Sequence, residues 1–101
     1  MERIVTAPEV LGLDEREAFR QAALTELAAV ATGRDRLVVD LGRTRYIDSA
    51  GLGTLLLIQR HAAERQIPVV LRAPTSEVRF LFMVTRLDNL FEVDPPGVDA
   101  G

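Results

Sequence analysis

Cysteine is absent from the 101-residue sequence, and histidine occurs only once. Without cysteine the chain has no disulfide framework, no thiolate metal site and no cysteine nucleophile. The one histidine, His61, stands beside Arg60 within a helical pattern, and a lone histidine without a neighbouring nucleophile makes no catalytic triad. Neither the zinc-protease pattern HExxH nor an aspartate-rich calcium loop occurs. We therefore expect a protein that is not an enzyme, with no catalytic residue, no metal site and no cofactor.

Lysine is absent as well, so all 12 basic residues are arginines, and they are scattered along the chain. The five aromatic residues do not interleave with them, and the net charge is −3. Surfaces that bind nucleic acid usually carry clustered cations, so direct binding of nucleic acid is not expected.

Long apolar runs are also missing. The richest stretch, LGTLLLI at residues 52–58, is far shorter than the roughly 20 residues that a membrane span requires. The start, MERIVTAPEV, shows no basic segment followed by a long apolar one. The sequence thus predicts a cytoplasmic protein without a signal peptide or membrane insertion. With 48% hydrophobic and 27% charged residues, it has the composition of one globular domain.

The sequence does contain an alternation of short apolar strands and amphipathic helices. Apolar runs predict four strands, at residues 3–7, 36–41, 67–72 and 89–93, with Tyr46 and Ile47 as a further extended pair. Helical spacing predicts three main helices, at residues 14–32, 52–65 and 75–87. Strands separated by helices indicate an α/β fold whose sheet is mixed but mostly parallel, with right-handed crossovers. Residues 1–94 then form one domain, and residues 95–101 form a flexible tail.

Local signals predict where the helices begin and end. Asp14 followed by Glu17 is a capping-box arrangement for the first helix, and Gly33 is expected to close it. Thr75 or Ser76 is expected to cap the third helix. The inward-facing residues predicted for that helix are Val78, Leu81, Phe82 and Val84 or Thr85.

The segment YIDSAGLG, residues 46–53, joins strand character to helix character. An Asp-Ser pair at such a junction is an ordinary helix cap, worth about 1 kcal/mol. A cap alone does not require small residues behind it, since glycine inside a helix costs roughly 0.5 to 1 kcal/mol relative to alanine. The small residues here are Ala50, Gly51 and Gly53. In a second interpretation, Ser49 is a modifiable hydroxyl at the positive end of the helix dipole, where a phosphate is tolerated. Leu57, on the otherwise exposed side of the helix, then becomes a candidate contact for a partner.

These residues carry a resemblance to a known family. The signature of STAS domains, in particular of bacterial anti-sigma factor antagonists, is similar to VVDLGRTRYIDSAGLGTLL. In that signature an apolar strand with Asp is followed by a short turn and by Asp-Ser-x-Gly-Leu, which opens a helix. The preceding family segment resembles GLDEREAFRQAAL, and the closing helix and strand resemble VRFLFMVTRLDNLFEV. The resemblance covers roughly residues 5–93 and makes residues 1–94 a STAS domain.

The resemblance implies a binding module that switches partners. In that family the unmodified antagonist binds an anti-sigma factor, itself a serine kinase of the GHKL type, and thereby releases a sigma factor. The kinase phosphorylates the serine of the motif and ends the interaction, and a serine phosphatase reverses it. Carried onto this chain, Ser49 is the phosphorylation site, Asp48 flanks and orients it, and Asp14 is the loop aspartate beside it. Together with the small residues of the junction and Leu57, the expected partner-binding residues are Asp14, Asp48, Ser49, Ala50, Gly51, Gly53 and Leu57.

Two departures from the family pattern keep other functions open. The chain begins about where the second strand of the family begins, so the first family strand is expected to be missing. That would expose a sheet edge and favour a homodimer or an atypical partner. The segment TAPEVLGLDEREA is closer to the P-x-x-L form of STAS subunits in lipid-transport ABC systems, which dock without a phosphorylation switch. The closing TRLDNLFEV favours sigma regulation.

Three hypotheses therefore compete. The leading one is a phosphorylation-gated anti-sigma factor antagonist. The second is a non-switching docking subunit of a lipid-transport ABC system or of a stress-signalling assembly. The third, a small hydrolase or nucleotide-binding enzyme, is opposed by the residue inventory, because GLG at residues 51–53 lacks the third glycine and the lysine of a phosphate loop.

Overall fold

The computed structural model describes residues 2–94, which form six strands, three α-helices and one turn of 3-10 helix. The strands are β1 (Arg3–Thr6), β2 (Val10–Leu11), β3 (Leu37–Asp40), β4 (Tyr46–Ile47), β5 (Val69–Arg72) and β6 (Glu92–Val93). The helices are α1 (Arg16–Ala28), α2 (Ser49–Glu64) and α3 (Ser76–Val84), and the 3-10 turn is Leu87–Asn89. The predicted tail, residues 95–101, lies outside the described residues.

Four strands form the main sheet, in the order β1-β3-β5-β6. Leu37 of β3 lies opposite Arg3 of β1 on one side and opposite Val69 of β5 on the other. Parallel neighbours require crossover connections, and each of the three helices lies in one such connection. The predicted α/β fold, with a mostly parallel sheet of four strands and three main helices, is confirmed, and every pair described in this sheet is parallel. Since β1 is one edge of the sheet, an edge is available for pairing, while the homodimer stays a prediction.

A second, two-stranded parallel sheet joins β2 to β4. Val10 lies opposite Tyr46, and Leu11 lies opposite Ile47. The sequence does not predict β2, because two residues show no periodicity. The pair matters for the site, since β4 runs directly into Asp48 and the start of α2.

The hydrophobic core lies between the main sheet and the helices. Its residues on the main sheet are Val5, Leu37, Val39, Val69 and Leu71, and its largest helix residues are Phe19, Leu27, Leu55, Ile58 and Phe82. Complete burial of such a side chain contributes about 1.5 to 3 kcal/mol. Because α1 packs against both β1 and α2, the core also fixes where α1 stands relative to the start of α2.

The start of α1 differs from the prediction. The helix begins at Arg16 with Glu15 as its N-cap residue, and no side chain caps it. The capping box predicted for Asp14 and Glu17 is therefore wrong. The Glu15 carboxylate instead accepts a hydrogen bond from the backbone N–H of Gly12 at 3.1 Å, which closes the turn ahead of the helix.

The end of α1 is held by Arg65 rather than by Gly33. The helix stops at Ala28, and the Arg65 guanidinium donates to the backbone oxygens of Leu27 at 2.8 Å and Val30 at 3.0 Å. Gly33, with φ of 84°, lies in the loop beyond. The free carbonyls at a helix end need partners, and here the partner comes from the end of α2, which no local sequence signal indicates.

The start of α3 agrees with the prediction, and its end does not. The Thr75 hydroxyl accepts a hydrogen bond from the backbone N–H of Val78 at 3.2 Å, so Thr75 is the cap. The helix ends at Val84, because Arg86 has a φ of 64° and leaves the helical region. Val84 is 58% exposed, so the prediction that it faces inward is wrong.

The face of the main sheet opposite the core carries a network of ion pairs. The Glu2 carboxylate accepts hydrogen bonds from Arg36 at 2.6 Å and from Arg72 at 3.0 Å. Val38 and Val70 lie outside the core cluster, yet they are 0% and 1% exposed. Because side chains alternate along a strand, each valine shares its face with the arginine two residues away. The apolar stems of the arginines can therefore cover the valines while their charged ends pair with Glu2.

Glu2 should make stability depend on pH. Hydrogen bonds from Arg36 and Arg72 hold the pKa of Glu2 below its ordinary value of 4.5. A carboxylate with a lowered folded-state pKa adds stability above its unfolded-state pKa, and this stability is lost as the pH falls through the folded-state pKa. We expect Glu2→Gln to be less stable than the natural chain at neutral pH, and the difference to shrink as the pH falls below 4.5.

Urea unfolding at neutral pH and at about pH 3 measures this difference. Glu64→Gln is the matched control, because Glu64 has no ion pair among the described residues. A difference between Glu2→Gln and the natural chain that stays constant across the two pH values would contradict the prediction.

Candidate functional site

Ser49 is the first residue of α2, and it is exposed. The chain arrives from the buried Ile47 and passes through Asp48 in an extended conformation, with φ of −93° and ψ of −175°. No described residue hydrogen-bonds the Ser49 hydroxyl. The hydroxyl therefore stands free at the end of a helix where unpaired N–H groups carry partial positive charge.

Asp48 is the cap of α2. One carboxylate oxygen accepts a hydrogen bond from the backbone N–H of Gly51 at 2.9 Å, and the other accepts from the backbone N–H of Leu13 at 3.1 Å. The backbone N–H of Asp48 donates to the carbonyl oxygen of Leu11 at 3.2 Å. Asp48 thus ties the start of α2 to the loop before α1. The capping function belongs to Asp48, and this leaves the neighbouring hydroxyl of Ser49 available.

Gly51 packs against its own chain. A Cβ at this position would lie 2.1 Å from the backbone oxygen of Leu11 and 2.9 Å from Cγ2 of Ile47. The glycine is buried, and its missing side chain lets the first turn of α2 approach the backbone of β2. Gly51 therefore makes a close approach within the chain, and its role as a partner contact stays a prediction.

Gly53 has no such internal role. It is exposed, and a Cβ built there meets nothing within 4 Å. Ser49, Gly53 and Leu57 are spaced by four residues and therefore share one face of α2. Leu57 is 37% exposed, and Ala50 lies beside them in the first turn. These four residues, Ser49, Ala50, Gly53 and Leu57, are called the serine face below.

The serine face and α1 line an open cavity of about 450 Å³. Its charged lining residues are Arg16, Glu17 and Arg20. The Glu17 carboxylate accepts hydrogen bonds from Nη2 of Arg20 at 2.5 Å and from Nε at 3.3 Å. This pairing is the main cause of the lowered pKa of Glu17. Arg16 is exposed, and no described residue forms a hydrogen bond or ion pair with its guanidinium.

Sequence reasoning missed both arginines. They belong to α1, far from Ser49 in the chain, and only the packing of α1 on α2 brings them to the same cavity. Their spacing of four residues indicates one helix face. No sequence signal indicates which part of α2 that face meets.

Asp14 does not line the cavity beside Ser49. It is an exposed residue of the loop before α1, and it lines a separate depression together with Pro8, Phe19 and Arg43. Its neighbour Leu13 is the residue hydrogen-bonded to Asp48. The role of Asp14 as a partner contact stays a prediction.

Metal ligands, membrane-spanning helices and the one histidine complete the description of the site. Residues 2–94 contain no group of three or more His, Cys, Asp or Glu side chains that could hold a metal ion. None of the helices in that range is long and apolar enough to cross a membrane. His61 is exposed on α2, with Nδ1 3.0 Å from the backbone oxygen of Leu57.

A family model described as "Mlab, STAS domain" matches residues 2–92. The chain belongs to the STAS domain family. A STAS-domain-containing protein of Pseudomonas aeruginosa is 32% identical over 80 residues, which cover 79% of this chain and 71% of that relative. BtrV of Bordetella bronchiseptica, named as a candidate anti-sigma factor antagonist, is 41% identical over 69 residues, which cover 67% of this STAS domain and 60% of BtrV.

Two solved structures share the fold. A candidate anti-sigma factor antagonist from Thermotoga maritima matches with a TM-score of 0.74 and 21% identity, over 90% of this STAS domain and 78% of that chain. The murine anion transporter solute carrier 26 family member A9 matches with a TM-score of 0.78 and 17% identity, over 93% of this domain and 16% of that chain. At these identities the likeness shows the fold alone. The family predicted from the junction motif is confirmed, and BtrV, named as a candidate anti-sigma factor antagonist, is among the relatives of the chain.

Proposed function

We propose that this STAS domain is a phosphorylation-regulated anti-sigma factor antagonist of the cytoplasm. Its unphosphorylated form binds an anti-sigma factor, which is a serine kinase of the GHKL type, and thereby releases a sigma factor. Phosphorylation of Ser49 ends this binding, and a serine phosphatase restores it. The likeness to BtrV supports the anti-sigma factor partner. The observation that carries the switch is the capping of α2 by Asp48, which leaves the Ser49 hydroxyl exposed and unpaired.

The serine face is the centre of the partner-binding surface in this proposal, with Asp48 and the Asp14 loop at its margin. The small methyl group of Ala50 and the missing side chain of Gly53 let a partner approach the helix closely. Leu57 adds apolar area that a partner removes from water. A neutral hydroxyl loses little in such an interface. A phosphate carries about −1.5 to −2 charges, and a desolvated, unpaired charge at an interface costs on the order of 2 to 5 kcal/mol. The domain acts by binding alone, with no cofactor.

Mapping the phosphorylated residue tests this function. After incubation with the GHKL-type kinase and ATP, mass spectrometry should find one phosphate, on Ser49, and none on the Ser49→Ala control. Two other hydroxyls are already engaged within the fold. Thr44 is 0% exposed, and its hydroxyl donates to the backbone oxygen of Pro8 at 2.8 Å. The Thr75 hydroxyl caps α3. Phosphate on Thr44, Thr75 or Ser76 instead of Ser49 would contradict the proposal.

Gly53→Ala should raise the free energy of unfolding and lower the affinity for the partner. Glycine inside a helix costs roughly 0.5 to 1 kcal/mol relative to alanine, and no atom within 4 Å opposes the added methyl group. The free energy of unfolding should therefore rise by about that amount. If a partner packs on the serine face, the same methyl group should weaken binding by roughly tenfold, because overpacking costs about 1 to 3 kcal/mol. Urea unfolding and calorimetric titration measure the two effects. An unchanged affinity would show that Gly53 lies outside the interface.

A second candidate function is a docking subunit without a switch, in a lipid-transport ABC system or a stress-signalling assembly. PEVL at residues 8–11, which has the P-x-x-L form, favours it. For such a subunit Ser49 has no regulatory role, and Ser49→Ala and Ser49→Asp should bind the partner equally.

A further inference from the structure

The cavity beside Ser49 carries an excess of positive charge. Its charged lining residues are Arg16, Glu17 and Arg20, two cations and one anion, in a chain whose net charge is −3. Glu17 pairs with Arg20, whereas the guanidinium of Arg16 has neither a hydrogen bond nor an ion pair among the described residues. The cavity therefore favours an anion that its own unmodified side chains do not supply.

We propose that Arg16 and Arg20 form a receptor for the phosphate on Ser49 of the same chain. The proposal rests on the phosphorylation proposed above and adds where the phosphate is held once it is attached. When the kinase transfers the γ-phosphoryl group of ATP, a bond forms between phosphorus and Ser49 Oγ, the bond to ADP breaks and the hydroxyl proton is released. The product has about −1.5 to −2 charges and three acceptor oxygens. Guanidinium groups bind phosphate through two parallel hydrogen bonds, which makes arginine the suitable partner.

The surroundings of Ser49 explain why cations are needed there. Asp48 already places a carboxylate at the start of α2 and occupies the backbone N–H of Gly51. The positive end of a helix dipole amounts to only about half a charge, so a dianionic phosphate beside Asp48 meets repulsion that the helix alone does not offset. In the receptor, Arg20 exchanges Glu17 for the phosphate, and Arg16, which interacts with Glu17 only through longer-range attraction, binds the phosphate without breaking a hydrogen bond or ion pair.

Phosphate on Ser49 would then have two effects. It places charge in the centre of the serine face, and it ties α1 to the first turn of α2. The phosphorylated domain, which no longer binds the kinase, therefore keeps its fold and gains stability.

Phosphoserine introduced at position 49 during translation tests the receptor without any kinase. The second pKa of the phosphate, about 6 for free phosphoserine, is measured by phosphorus NMR across a pH titration. We expect the phosphoprotein to show a second pKa about 1 pH unit lower, because nearby opposite charges favour the dianion. The double variant Arg16→Gln with Arg20→Gln should raise it to about 6 or above, because Asp48 and Glu17 then face the phosphate without the arginines. Circular dichroism checks that this variant stays folded, as expected for one exposed and one half-buried helix residue.

Arg34→Gln is the matched control, because Arg34 follows the C-terminal end of α1, at the other end of the helix from Arg16. It should keep the lowered second pKa. Replacing Arg16 and Arg20 with lysine should keep part of the lowering, since the charge remains while the bidentate geometry is lost.

The outcomes separate the receptor from the proposed function. Equal second pKa values in the phosphoprotein and the glutamine double variant would overturn the receptor, whether or not a kinase modifies Ser49. Equal values together with weaker partner binding by the unphosphorylated double variant would assign the arginines to the partner instead. Failure of the kinase to modify Ser49 would overturn the proposed function, but the NMR result would still stand, because the phosphate is introduced during translation.

Discussion

Gly51→Ala should destabilise the domain by about 3 kcal/mol or more, the upper end of the usual cost of overpacking. The added Cβ would lie 2.1 Å from the backbone oxygen of Leu11. A backbone carbonyl in a strand cannot rotate away as a flexible side chain can, so β2 and the first turn of α2 would have to separate. Domains of this size have roughly 5 to 15 kcal/mol of total stability, so this loss is a large fraction of the whole. Urea unfolding followed by circular dichroism measures it.

Gly53→Ala is the matched control, because it adds the same methyl group two residues away in open space. The two alanine variants should change stability in opposite directions. Equal stability of the two variants would show that α2 does not pack on β2 as described.

Ser49→Asp should lose partner affinity by roughly 30-fold to several thousand-fold. This range is the 2 to 5 kcal/mol cost of a desolvated charge at an interface, taken at 1.4 kcal/mol per tenfold change. Ser49→Ala should bind nearly as well as the natural chain, because a neutral hydroxyl and a methyl group differ little once water is excluded. The Ala variant should also be insensitive to the kinase, since the accepting oxygen is gone.

The same two variants should hardly differ in folding. A negative charge at the start of a helix is favourable, and the cap itself belongs to Asp48. We expect the melting temperatures to lie within a few degrees of each other while calorimetric affinities differ widely. Similar affinities of Ser49→Ala and Ser49→Asp for the partner would show that Ser49 has no regulatory role, and would favour the docking-subunit function.

The sequence predicts those features that local patterns determine. The strands that contain Val38 and Val70 are continuous apolar runs, so both are evident from the sequence pattern. The helix α2 between them indicates that the two strands pair in parallel. The Asp-Ser junction is visible because two residues that often cap helices stand between a strand pattern and a helical pattern. The exposed face of α2 follows from helical periodicity, which correctly placed Leu57 outside.

The sequence does not predict features that depend on distant contacts. The role of Gly51 is visible only when Leu11 of β2 is seen against it, and β2 itself is too short to show a pattern. Asp14 is a residue type that often caps helices, but Glu15 is the N-cap residue of α1. The Glu15 side chain closes the turn ahead of the helix. The approach of Arg16 and Arg20 to Ser49 depends on how α1 lies across α2, which no residue spacing encodes.

The central claim, that phosphate on Ser49 ends partner binding, is tested most directly by calorimetric titration of two forms of one protein. The unmodified chain and the chain with phosphoserine at position 49 are titrated separately into the same GHKL-type anti-sigma factor kinase. We predict measurable binding for the unmodified chain and an affinity at least about 30-fold weaker for the phosphorylated chain, with both forms folded. Equal affinities for the two forms would contradict the account.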